Sequence, residues 1–105
     1  MATLIDITGK IKNETKFLKY GDKTYKVDDR KNTMMKVYAQ IGNENSSVSI
    51  ETLDKIMELL LGKDALKDFD GFSYEDYLVT FFAAMACVQN KSYEEVEATF
   101  RNAQQ

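Results

Sequence analysis

The sequence of 105 residues contains no histidine, proline or tryptophan, and it has a single cysteine. The usual zinc sites take two or more Cys or His ligands, so this composition argues against a zinc protein. One cysteine cannot form an internal disulfide, and Cys87 lies in an apolar helical pattern that is typical of a small core residue. Without histidine, neither a Ser-His nor a Cys-His nucleophile pair can be assembled. The sequence therefore predicts no catalytic residue, no metal and no cofactor.

The sequence also lacks linker-like segments and long apolar runs. Its longest apolar stretch covers residues 77–88, interrupted by one threonine, whereas a membrane-spanning helix needs about 20 apolar residues. The first residues show no basic segment followed by an apolar one, so no secretory signal is predicted. We expect a single domain over residues 1–105, located in the cytoplasm and without a membrane partner.

Charge, in contrast, is present in quantity and is unevenly distributed. Residues 1–36 contain nine Lys/Arg and five Asp/Glu, a net charge of +4, and residues 37–105 contain five and twelve, a net charge of −7. The two parts add up to the net charge of −3 of the whole chain. Such polarity can steer head-to-tail self-association or attract a charged partner, but an ordinary solvated surface produces the same pattern.

Residues 1–27 have the composition of β-strands. Leu4, Ile5 and Ile7 precede a Thr-Gly turn signal and predict a first strand. Two further β-prone runs, residues 15–20 and 23–27, flank the dipeptide Gly-Asp, and this arrangement is typical of a hairpin. Their alternation places apolar side chains on one face of the hairpin and lysines on the other.

Residues 28–105 have helical periodicity and predict four to five helices, which makes the fold α+β and mostly helical. Asp28 or Asp29 can cap the first helix, residues 43–47 form a polar loop, and Ser49 begins a second helix. The phrase Ser-Tyr-Glu-acid at residues 73–76 and 92–95 predicts two capping boxes that open the last two helices. Carboxylate-only hydrolysis stays open on composition, but this structural role of the acids favours a protein that is not an enzyme.

Two motif interpretations compete with a purely structural role. Asp-Phe-Asp-Gly at residues 68–71 suggests a calcium loop, but alignment on its glycine places Leu66 and Tyr77 where carboxylates are required. The hairpin alternates lysines with tyrosines and could follow a nucleic-acid backbone, although the sequence pI of about 4.9 argues against that partner. Lysines also protect a sheet edge from stray pairing. The lysines and tyrosines of this possible nucleic-acid surface are Lys16, Lys19, Tyr20, Lys23, Tyr25 and Lys26.

Three stretches carry a resemblance to a known family. They are KFLKYGDKTYKV at residues 16–27, IETLDKIMELLLG at 50–62, and SYEDYL at 73–78 followed by SYEEV at 92–96. In the order of these elements and in their general residue pattern, the chain resembles the small tail assembly chaperones of long-tailed bacteriophages that infect Gram-positive bacteria. The resemblance spans most of the chain. It implies that this chain is the short form of a family that is often also made in a frameshifted longer form.

The resemblance implies a non-catalytic, self-associating chaperone in the cytoplasm of the bacterial host. Such a protein coats the tape-measure protein and keeps its hydrophobic helices soluble until tail-tube subunits polymerise around it. Two apolar helix stripes are the candidate partner-binding residues, unless both are buried in the protein's own core. They are Ile50, Leu53, Met57 and Leu60 on one helix and Tyr93, Val96 and Phe100 on the last helix, whose narrower stripe we expect to be more accessible. The alternatives are another small virion morphogenesis protein, such as a head–tail joining or tail component, and a nucleic-acid-binding regulator.

Overall fold

A computed structural model describes residues 3–42 and 49–103, and the predicted polar loop at residues 43–47 lies outside them. A two-stranded antiparallel sheet is followed by five α-helices, which confirms the α+β, mostly helical fold. A single turn of 3₁₀-helix, Thr8–Lys10, precedes the sheet. The strands and helices are β1 (Lys16–Tyr20), β2 (Lys23–Val27), α1 (Lys31–Gly42), α2 (Ile50–Leu61), α3 (Lys63–Asp68), α4 (Tyr74–Gln89) and α5 (Tyr93–Ala103).

The predicted hairpin is present, and its register pairs Leu18 with Tyr25. Gly21 has a φ of +61° at the first position of the two-residue turn, a conformation that glycine adopts without steric cost. On the inner face, Tyr25 and Val27 are buried and Leu18 is half-buried. The sheet packs through this face on α2 and α4, which gives the hairpin the support that an isolated one lacks in water.

The serine signals mark the starts of α4 and α5, but of the two predicted capping boxes only the one at α5 shows both hydrogen bonds in the described residues. The Ser73 hydroxyl accepts a hydrogen bond from the backbone N–H of Asp76 at 3.1 Å. At the start of α5 the box is reciprocal: Ser92 Oγ accepts from the Glu95 N–H at 3.1 Å, and Glu95 Oε1 accepts from the Ser92 N–H at 3.3 Å. These bonds satisfy backbone donors that a helix N-terminus leaves without intrahelical partners.

Asp28, rather than Asp29, organises the start of α1. One of its carboxylate oxygens accepts from the backbone N–H of Arg30 at 3.1 Å, and the other accepts from Thr33 Oγ1 at 2.8 Å. Asp29 instead forms an ion pair with Lys16 at 3.3 Å. The Asp28 N–H also donates to the Leu60 carbonyl at 2.8 Å, so the end of β2 is tied to the end of α2.

The hydrophobic core lies between α2, α4 and the inner face of the sheet. Helix α4 is central: it packs on α2, on α5 and on both strands. The largest fully buried side chains are Val27, Val37, Leu53, Ile56, Met57, Leu60 and Phe82. They come from the sheet and three helices, so these elements bury one another's apolar faces.

The prediction of a first strand at Leu4, Ile5 and Ile7 is wrong. Residues 3–7 have no regular secondary structure, and the sheet of the described residues contains only β1 and β2. A strand forms when a neighbouring strand satisfies its backbone hydrogen bonds, and these residues have no such neighbour. Residues 3–12 instead form an exposed segment, which we call the N-terminal arm.

Candidate partner-binding surface

Most of the α2 stripe faces the core. Leu53 and Met57 are 0% exposed and Leu60 is 1% exposed, because α1, α3, α4 and β2 pack around this helix. Ile50, at the start of the same stripe, is 56% exposed. In this conformation Ile50 is therefore the member of the stripe that a partner can reach.

The α5 stripe packs against α4. Val96 is buried, and the half-buried rings of Tyr93 and Phe100 lie 5.9 Å and 5.1 Å from the ring of Phe82. The Arg101 guanidinium lies 5.5 Å from the centre of the same ring. Aromatic edge contacts and a cation over a ring face both stabilise such a cluster. The stripe is thus largely engaged with the protein's own core.

An apolar groove with an acidic lining lies between α2, the end of α3 and the start of α4. We call it the acidic groove, and its volume is about 460 Å³. Gly62, with a φ of +90°, ends α2 and lets the chain turn directly into α3. The residues that line the groove are Ile50, Asp54, Glu58, Leu66, Phe69, Asp70, Phe72, Ser73, Tyr74 and Tyr77.

Aromatic contacts hold the turn between α3 and α4 that forms one wall of the groove. The rings of Phe69 and Phe72 are 5.2 Å apart, and Tyr20 of the hairpin meets Phe72 edge-on at 5.3 Å. Phe69 is buried and also packs on Tyr25. The hairpin and the wall therefore support each other, and these contacts hold this side of the groove in place.

The chemistry of the groove combines exposed apolar atoms with negative charge. Ile50 and Tyr74 are 56% and 47% exposed. Three carboxylates line the groove and its described lining contains no Lys or Arg, although Lys63 outside the lining lies 3.8 Å from Glu58. Such a surface suits a segment that carries both apolar and basic side chains.

Tyr77 fixes the orientation of one of these carboxylates. Its hydroxyl donates to Asp54 Oδ1 at 2.6 Å. Burial, and then this hydrogen bond, raise the pKa of Tyr77 above its ordinary value of 10.0, so the hydroxyl keeps its proton and remains a donor at neutral pH. The Asp54 carboxylate retains further lone pairs that can accept from a partner.

The N-terminal arm is the second unusual surface, and the sequence patterns did not reveal it. Leu4, Ile5, Ile7 and Ile11 are 93%, 73%, 55% and 61% exposed, and none of them packs against the core. Burying one such side chain is worth ~1.5–3 kcal/mol, so the arm presents substantial unused binding energy. The sequence feature that points to this segment is the apolar alternation at Ile5 and Ile7. It is interpreted as a strand, because such an alternation is the same whether or not a neighbouring surface exists to bury it.

The hairpin lysines do not form a single basic row. Lys16 and Lys23 lie on the inner face with the tyrosines, and Lys23 pairs with Asp68 at 3.1 Å. Lys19 and Lys26 lie on the opposite, outer face. This division of the lysines between two faces removes the geometric argument for a nucleic-acid track along the hairpin.

The remaining motif residues have structural contacts. Asp68 accepts from the Tyr25 hydroxyl at 2.9 Å as well as from Lys23, and these bonds lower the pKa of its carboxyl. Cys87 is half-buried, and this burial raises the pKa of its thiol. Within residues 3–42 and 49–103, no group of three or more Asp, Glu or Cys side chains is placed to hold a metal ion.

Comparison with known proteins adds no identity to this geometry. No protein family, curated protein or solved structure matches the chain. In the described part of the chain, none of the helices has the length and apolar character needed to cross a membrane. The two exposed surfaces and the resemblance of the sequence are therefore the features of this chain that bear on its function.

Proposed function

We propose that this protein is a non-catalytic tail assembly chaperone that acts in the host cytoplasm. It would bind apolar helices of the tape-measure protein and keep them soluble until tail-tube subunits polymerise around them. The observation that supports this proposal best is the acidic groove, whose exposed apolar side chains are lined by three carboxylates. The resemblance of the sequence to phage tail assembly chaperones supplies the identity of the partner.

The groove suits the edge of an amphipathic helix. Its lining extends along α2 from Ile50 to Glu58, and at 1.5 Å per residue this covers about 12 Å, or roughly two turns of a partner helix. Apolar partner residues would contact Ile50 and Tyr74, and basic residues beside them would pair with the groove carboxylates. The negative charge disfavours partners whose helices are acidic.

Co-expression with the tape-measure protein of the same phage tests the proposal. We expect the unaltered chain to raise the soluble fraction of that protein and the double variant Ile50→Asp/Tyr74→Ser to lose the effect. Met35→Asp is the matched control, because Met35 is 63% exposed on α1 and lies outside the groove. Thermal melts of each purified variant show whether its fold is retained. A soluble fraction unaffected by the chain, or equally raised by the groove variant, would contradict the proposal.

Purified phage particles provide a second test. A chaperone is released before the tail is complete, so we expect the protein in infected cells and not in mature virions. Immunoblotting of both samples with the same antiserum measures this. Detection in virions at the level of other tail components would replace the chaperone with a structural role in the particle.

A further inference from the structure

We propose that the N-terminal arm of one copy docks into the acidic groove of a second copy, so that the chain associates head to tail. The apolar side chains of the arm are exposed and do not pack on the described core, and the groove presents exposed apolar side chains within an acidic lining. The interaction is a property of the chain alone, and it does not rest on the proposed chaperone function.

The charges of the two surfaces are complementary. The arm, residues 3–12, contains Lys10 and Lys12 on either side of Ile11 and one acid, Asp6, so its net charge is +1. The Asp6 carboxylate already accepts from the backbone N–H of Thr8 at 3.0 Å. The groove lining carries three carboxylates and no basic residue, a net charge of −3. Attraction between opposite charges favours this docking over contacts between two arms or two grooves.

The dimensions also agree. Residues 4–7 in an extended conformation cover about 10 Å, at 3.3 Å per residue. Along α2, the groove lining covers about 12 Å from Ile50 to Glu58. The arm can therefore place Leu4, Ile5 and Ile7 along the groove, with Lys10 and Lys12 following at one end of it, where their ammonium groups can reach the groove carboxylates.

The position of the arm favours a second copy over the arm's own groove. The arm leads into β1 at Lys16, which lies beside Asp29 and Asn90 at the open end of the hairpin. The groove lies near the other end, where Tyr20 contacts Phe72. The apolar side chains of the arm are 55–93% exposed, so in this structure they do not lie in the groove of their own chain.

A head-to-tail contact leaves one arm and one groove unoccupied at the ends of every open assembly. Such a heterologous interface forms a ring if its rotation closes and an open chain if it does not. The proposed tape-measure helix uses the same groove, so it would compete with the arm of the neighbouring copy. Competition would allow assembled copies to be transferred to a partner without exposing free apolar groove surface.

Sedimentation velocity of the purified full chain over a wide concentration range measures the self-association. The unaltered chain should form species larger than a monomer as its concentration rises. The arm variant Ile5→Asp/Ile7→Asp and the groove variant Ile50→Asp/Tyr74→Ser should each raise the dissociation constant by about tenfold or more. Met35→Asp, on an exposed site outside both surfaces, should leave it unchanged. All four substituted positions of the two double variants are exposed, so circular dichroism should show a retained fold.

A mixture of the two defective variants distinguishes this interface from the alternatives. The arm variant keeps an intact groove and the groove variant keeps an intact arm, so the mixture should form a 1:1 dimer that grows no further. Contacts between two arms or between two grooves would leave the mixture without this dimer. The proposal is overturned if the unaltered chain stays monomeric at every concentration, if either variant associates as strongly as the unaltered chain, or if the mixture forms no 1:1 dimer.

Discussion

The N-terminal arm and the hairpin that follows it have similar local sequences, but the arm is exposed and one face of the hairpin is buried. Ile5 and Ile7 of the arm alternate as Tyr25 and Val27 of β2 do, yet the first pair is 73% and 55% exposed and the second pair 9% and 2%. The difference shows that an apolar alternation indicates the capacity to be buried. Whether burial occurs depends on which surface lies opposite.

Two features secure the hairpin and have no counterpart in the arm. Its strands are joined by a two-residue turn, so each strand finds its hydrogen-bonding neighbour within the same short segment. The backbone bond from Asp28 to Leu60 then holds the end of β2 against α2. The arm lies before both features and, within the described residues, has neither a paired strand nor a helix face to cover it.

The largest expected difference in the free energy of unfolding is between Phe82→Ala in the folded core and Ile5→Ala in the arm. Phe82 is 0% exposed and contacts the rings of Phe81, Tyr93 and Phe100, so its truncation should lower the free energy of unfolding by about 3–5 kcal/mol. Ile5 is 73% exposed, and its truncation should change this quantity by less than about 0.5 kcal/mol. Urea denaturation at low protein concentration measures both. Equal losses would show that the arm is part of the folded core.

A smaller difference in the free energy of unfolding is expected between alanine variants of two glycines. Gly21 has a φ of +61°, whereas Gly9 in the arm is not among the residues with positive φ. Gly21→Ala should lower the free energy of unfolding by about 1–2 kcal/mol, because an L-residue is strained in the left-handed region. Gly9→Ala should have almost no effect, since a methyl group added there would meet no atom within 4 Å. Urea titration again provides the measurement, and a neutral Gly21→Ala would contradict the turn geometry.

The smallest expected difference in stability is between variants of two aspartates, and it depends on pH. The Arg30 side chain, and then the Thr33 hydroxyl, hold the pKa of Asp28 well below its usual 3.8. The pKa of Asp6 is also lowered, mainly by the backbone N–H of Thr8. A depressed pKa stabilises the fold above the unfolded-state value, and this contribution is lost as the pH falls below about 4. Asp28→Asn should therefore cost about 1 kcal/mol at pH 7 and progressively less in acid.

Thermal or urea unfolding of both aspartate variants between neutral pH and pH 3 checks this expectation. Asp6→Asn should follow the unaltered chain throughout, because the arm does not participate in the cooperative core. A loss for Asp28→Asn that stays constant on acidification would mean that the charge of the carboxylate is not what stabilises the start of α1.

The features that the sequence predicted well are those encoded within a few residues. A serine with an acid three residues on defines the start of α5, and Gly21 permits the tight turn of the hairpin. The apolar period of α2 predicted that helix equally well. Each signal works through backbone hydrogen bonds or sterics between near neighbours, so distant parts of the chain are not needed to interpret it.

The acidic groove could not be predicted in the same way. Its carboxylates belong to α2 and to the turn after α3, and neither segment shows by itself that they line one depression with Tyr74. The α2 stripe likewise gave no indication that Ile50 stays exposed while Leu53 is buried. Both outcomes depend on how the helices pack, which is determined by the sum of many contacts over the whole chain.

Local sequence was sufficient to specify the α+β order of elements, the hairpin turn and the helix starts, because these depend on hydrogen bonding, backbone conformation and apolar period among near neighbours. Which apolar residues are buried was settled only by the tertiary packing, because burial requires a complementary surface from elsewhere in the chain. For the core stripes of α2 and α5 that surface is present. For Leu4, Ile5, Ile7 and Ile11 no surface of the described chain provides it, and these residues stay exposed to solvent.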